Sequence, residues 1–128
     1  MQGKEKRLSK MTTFVTITGL QHHLEAPVLP GALFKCIKEP QNKYDDEAIR
    51  VELPGVGKAG YIANQWRTVA RGTYSSGRLY DKVGEVSFAE VKFSLGNTVI
   101  CQVLEGDEQE VAPRYLAQKF RSVVLMID

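Results

Sequence analysis

One polar cluster in this chain has the residue types for recognition chemistry: Asn42, Lys43, Tyr44, Asp45 and Asp46, just ahead of a strand-like segment. Tyr44 offers a flat face on which a base can stack. Asn42 and Asp45 can bond hydroxyl or base-edge groups. A carboxylate repels a phosphate, but it accepts the proton of a sugar hydroxyl. The same residues also favour turns, because Asn and Asp bond their own backbone. Composition alone leaves turn and ligand pocket both standing.

The other reactive residues are placed less well for chemistry. His22 and His23 are adjacent on an irregular stretch, where neighbouring side chains diverge, and zinc needs three or four convergent ligands. Cys36 and Cys101 each occupy an apolar strand position, where a cysteine behaves as a small hydrophobe. No Walker loop or dinucleotide fingerprint is present, and Gly55-Val56-Gly57 is hairpin-turn sequence. The acidic run Glu105 to Glu110 reads as a solvated linker rather than a metal site. No catalytic residue, metal site or cofactor is therefore expected.

The elements that must position the cluster follow from periodicity. Thr12 to Thr18 is β-branched and aromatic, which marks a strand. Ala32 to Lys38 reads as a second strand. Glu47 to Leu53 alternates, with Ile49, Val51 and Leu53 on one face. Pro54 to Gly57 turns the chain into a returning strand, Lys58 to Ala63, so the pair forms a hairpin. Asn64 is a suitable helix cap, and Trp66, Val69 and Ala70 supply a helical stripe with Trp66 as its anchor. Ser75 to Val83 suits another short helix carrying Tyr80-Asp81, with Arg78 and Lys82 spaced for one face. Glu85 to Leu95 alternates with a slip at Ala89-Glu90 that suits a β-bulge. Thr98 to Leu104 reads as a further strand. Pro113 to Phe120 suits a helix with Pro in its first turn, and Val123 to Ile127 is a strongly apolar end. About six strands with one or two short helices point to a mainly β fold, a small barrel.

The chain has 128 residues, 43% hydrophobic and 25% charged, enough for one domain with its own core. Its net charge of +2 is uneven: residues 1–10 hold four Lys/Arg and one Glu, so the rest carries about −1. Such a body does not coat duplex DNA by charge alone, and any nucleic-acid contact needs a focused patch. No stretch reaches the ~20 apolar residues of a membrane helix, and no secretory signal is evident. A soluble cytoplasmic protein with reduced thiols is expected.

Lys38-Glu39-Pro40, then Asn42-x-Tyr44-Asp45-x-x-Ala48-Ile49-x-Val51, then Gly60-Tyr61-Ile62, resembles the HIRAN domain. Thr18-Gly19, Leu29-Pro30-Gly31, Val69 to Thr73 and Gly77 to Lys82 extend the resemblance, the last two toward small stand-alone bacterial members. It covers roughly residues 12–104, leaving 1–11 as a flexible basic leader and 105–128 as an acidic linker and C-terminal extension. The resemblance implies a modified OB-like barrel with two helices. In eukaryotic fork-remodelling helicases this domain grips single-stranded DNA at a free 3′-hydroxyl, in DNA repair and replication-fork processing. By that likeness Tyr44 stacks on the terminal base, Asp45 accepts a hydrogen bond from the 3′-hydroxyl, and Asn42 frames the pocket. Tyr61 faces either ligand or solvent. Those helicase domains carry an arginine and an aromatic after the first strand's glycine, where this chain has Gln21, His22 and His23. Their backbone-holding lysine after the Gly-x-x element is missing here, where Asn64 and Gln65 stand near its place with Arg67 or Arg71 as candidate substitutes, so phosphate binding is expected to be weaker or arranged differently. The expected DNA-binding set is thus Asn42, Tyr44, Asp45, His22, His23, Tyr61 and Arg71, with single-stranded DNA as partner and no enzymatic activity. The alternative is a protein-interaction or oligomerisation module that uses the C-terminal extension.

Overall fold

The structure, a computed structural model, describes residues 12–24, 27–95, 97–106 and 108–118. The basic leader and the apolar end Val123 to Ile127 lie outside the described residues. Six strands form: β1 (Phe14–Thr18), β2 (Leu33–Glu39), β3 (Ala48–Leu53), β4 (Gly57–Ile62), β5 (Val86–Leu95) and β6 (Thr98–Val103). They close into an antiparallel barrel in the order β1-β4-β3-β2-β5-β6. Among the described residues two short helices accompany them, α1 (Ser76–Tyr80) and α2 (Glu108–Leu116), with a 3-10 turn at Leu20–His22. The fold is therefore the mainly β, small OB-like barrel with two helices that the sequence implies.

Alternation decides which side chains fill it. Val15, Ile17, Phe34, Cys36, Val51, Ala89, Val91, Val99 and Cys101 point inward and are essentially inaccessible. A second, smaller core lies outside the barrel wall. There α2 lays Val111 and Tyr115, spaced i, i+4, over Leu33 and Phe88. The Phe88 and Tyr115 rings meet at 5.7 Å in a tilted arrangement. The side-chain amide of Gln118 then accepts from the Leu33 N–H at 2.6 Å and donates to the Leu33 carbonyl at 2.9 Å. It completes a backbone pair at the start of β2, where the β3 register begins only at Lys35.

Four local expectations are corrected. Asn64 starts no helix of its own, because its amide is committed to tertiary partners; Gln65 to Val69 makes one turn, with Thr68 and Val69 both donating to the Gln65 carbonyl. Trp66 is no anchor: it is 86% exposed. The slip at Ala89-Glu90 is not a bulge. Phe88 is buried outside under α2 while Ala89 is buried inside, so both faces of β5 are covered there; the register shift falls between Val91 and Phe93. Finally, the acidic run does not stay a linker. Glu108 and Glu110 form the first turn of α2, where carboxylates suit the positive end of the helix, and Pro113 lies inside that helix. The helix expected over Ser75 to Val83 is shorter, with Ser75 as its cap, accepting from the Arg78 N–H at 3.2 Å, and Asp81 at its C-terminal end.

The seam between β1 and β4 is short, with Ile17 opposite Ile62 and Thr18 opposite Tyr61. Gly60 is required there, since a Cβ would overlap the Thr18 carbonyl oxygen. Beyond the seam, residues 63–75 return along β1, and Tyr74 bridges to Val15. This loop is locked by fully buried Thr16. Ala70 N–H donates to Thr16 Oγ1 at 3.1 Å, and Thr73 Oγ1 donates to the Ala70 carbonyl at 2.7 Å. Thr73 has then spent its only hydroxyl proton, so the 2.8 Å contact between the two hydroxyls has Thr16 as donor. The three bonds form a closed ring.

Candidate nucleic-acid interface

A cleft of about 490 Å³ opens at the β1–β4 seam. The β2–β3 connection supplies Asn42, Tyr44 and Asp45; β4 supplies Lys58 and Tyr61; the following loop supplies Asn64, Gln65 and Thr68. Of the residues expected from sequence, Asn42, Tyr44, Asp45 and Tyr61 converge here. His22, His23 and Arg71 do not line it. The histidines are exposed at the end of the 3-10 turn after Gly19, whose φ of +85° bends the chain out of β1, His22 closing the turn and His23 following it, and Arg71 is exposed farther along the loop.

Asn42 builds the loop. Its Oδ1 accepts from the backbone N–H of Tyr44 at 2.9 Å and of Asp45 at 3.1 Å, and its Nδ2 donates to Glu39 at 2.8 Å. Turn and pocket are thus the same object: the Asx turn aims the neighbouring side chains. Tyr44 is left 95% exposed at the rim. Asp45 Oδ1 accepts from Glu47 N–H at 2.9 Å and Oδ2 accepts from Asn64 Nδ2 at 2.7 Å. The direction of Asn64 is fixed in turn, because its Oδ1 accepts from Gly77 N–H at 2.7 Å, at the start of α1. A carboxylate has about four acceptor sites, so the two bonds orient Asp45 and leave capacity for a ligand hydroxyl.

The wall beside Tyr61 is a charge network. Tyr61 donates its hydroxyl proton to Glu39 at 2.9 Å, and Arg50 bridges Glu39 at 2.7 Å and Glu52 at 2.8 Å. Burial alone would push the Glu39 carboxyl up. Hydrogen bonds from Asn42, Arg50 and Tyr61, with the Arg50 charge, outweigh it and hold the group below its ordinary value. Arg50 behaves reciprocally: burial opposes its charge, but Glu39 and Glu52 hold its proton more tightly than usual.

Lys58 is the residue that sequence reasoning missed. Its ammonium lies 4.9 Å from the Tyr61 ring centroid and 3.4 Å from the phenol oxygen. Simple alternation puts positions 58 and 61 on opposite faces of a strand. Here Val51 pairs with Gly60 and Glu52 with Lys58, so Ala59 is an extra residue turned into the core. That bulge brings Lys58 round to the Tyr61 face. The cleft lining consequently carries one acid, Asp45, and one base, Lys58.

Both cysteines are buried in the barrel, and burial pushes the Cys36 thiol up to about 12 and the Cys101 thiol well above its ordinary value. Neither is a thiolate nucleophile near neutral pH. Among the described residues, no group of three or more His, Cys, Asp and Glu could hold a metal ion, and no helix is long and apolar enough to cross a membrane. Compared with known protein families, curated proteins and solved structures, the chain has no match.

Proposed function

We propose that this domain is a HIRAN-like module that recognises the 3′ end of single-stranded DNA without chemical turnover, in a cytoplasmic DNA-repair or replication-fork setting. The observation that carries the reading is the pairing of Tyr44, almost wholly exposed on a braced loop, with a carboxylate neighbour held in the cleft by Asn64. The terminal base stacks on Tyr44, a contact worth about 1–3 kcal/mol. Asp45 accepts the 3′-hydroxyl proton on its remaining lone pairs. A 3′-phosphate brings negative charge against the same carboxylate, a repulsion of roughly 1–4 kcal/mol at 4 Å between water-like and surface dielectrics. Lys58 meets the phosphate on the 5′ side of the terminal nucleotide, the part that the lysine after the Gly-x-x element plays in the helicase domains.

Fluorescence anisotropy with short oligonucleotides ending in 3′-hydroxyl or 3′-phosphate, and with a blunt duplex, tests the reading. The 3′-hydroxyl single strand is expected to bind at least about fivefold more tightly than the 3′-phosphate form. Tyr44→Ala should lose roughly tenfold in affinity, with an unchanged melting temperature. Asp45→Asn should bind both ends alike. Equal affinity of the unaltered protein for all three DNAs rules the reading out.

A further inference from the structure

Trp66 is 86% exposed, one of four large hydrophobic side chains left open among the described residues. An indole so placed forgoes a large burial gain. Nor is it on a slack segment. Its neighbours Gln65 and Thr68 line the Asp45 cleft, and both the turn at Gln65 and the Thr16 ring fix the loop. Arg67 lies 5.9 Å from the Trp66 ring centroid, at the outer range of a cation–π contact, and adds a cation beside the indole. An open aromatic face next to a guanidinium, on a loop continuous with the cleft, has the features of a sequence-tolerant single-strand platform.

We infer that Trp66 and Arg67 form a second nucleotide contact, where a base internal to the single strand stacks on Trp66 and an adjoining phosphate meets Arg67. The inference rests on the 3′-end reading and extends it: the strand leaves Tyr44 and Asp45, passes Gln65 and Thr68, and lies over the loop. The end is read in the cleft, while length is sensed on the loop. Affinity therefore rises with strand length without any change in preference for the 3′ group.

Trp66 is the only tryptophan in the chain, so its emission reports the contact directly. The protein is titrated with a 3′-hydroxyl decamer and a dinucleotide while tryptophan fluorescence is followed, and labelled-decamer anisotropy is measured in parallel. The decamer should quench Trp66 strongly and the dinucleotide weakly. Trp66→Ala should lose roughly tenfold in decamer affinity yet keep the full 3′-hydroxyl over 3′-phosphate ratio; Trp66→Phe should recover most of the loss. Because Trp66 is exposed, circular dichroism of the variants should match the parent. A decamer that binds with 3′ preference, leaves Trp66 emission unchanged and is indifferent to Trp66→Ala overturns this inference alone. Failure of the unaltered protein to bind the decamer overturns both readings.

Discussion

Glu39 shows how much of the site is internal bracing. It holds Asn42, Tyr61 and Arg50 at once, and its carboxyl is kept below the ordinary value by them. A depressed carboxyl stabilises the fold fully above its unfolded-state value, and this is lost as pH falls through the folded one. Glu39→Gln should therefore lower the melting temperature at neutral pH, and the gap from the parent should close in acid; thermal melts across that range check it. At this scale the sequence was half legible. Asn42, Tyr44 and Asp45 were visible as a polar cluster, but turn and pocket were both open to it, and the structure makes the two one object. Lys58 was hidden by the bulge at Ala59, which breaks the period-two rule that any strand reading assumes. Asn64 was visible as a polar residue but assigned to the wrong partner: it orients Asp45 rather than starting a helix.

Among the elements, the hairpin of β3 and β4 was plain, since the apolar alternation of β3 reports burial directly. Two departures have one cause. At residues 64–71 an apolar spacing compatible with a helix lost to tertiary bonds, because Thr16 and Gly77 claim the backbone and side-chain groups that a helix would use. At Phe88 and Ala89 the strand is covered on both sides by elements distant in sequence. The Thr16 ring predicts a measurable cost. Thr16→Val keeps shape but leaves the Ala70 N–H and the Thr73 oxygen without their partner, a destabilisation of about 1–3 kcal/mol, readable by urea denaturation. Single-strand affinity should fall with it, since the ring holds the loop that bears Gln65 and Thr68.

For the molecule as a whole, the cleft's balance of one acid and one base sets the electrolyte response. A single-strand contact contributes about −0.7 to the slope of log affinity against log salt for each phosphate neutralised. With Lys58 and Arg67 as the phosphate contacts, the slope should be shallow, about −1 to −2, and Lys58→Ala should flatten it by about 0.7; binding isotherms at several salt concentrations decide this. The barrel was readable from strand count and turn spacing, but the pairing that closes it was not. The β1–β4 seam has two register pairs, and no local pattern announces a pairing between the first strand and the fourth.

The ring around Thr16 also bears on time. Ala70 sits in a loop, where amide protons ordinarily trade with solvent through small local openings. Its N–H is instead bonded to the hydroxyl of a residue with no exposed surface. Deuterium should therefore reach Ala70 on the clock of β1 rather than that of its loop neighbours. A strand end would then meet a loop already anchored at Ala70 before it arrives.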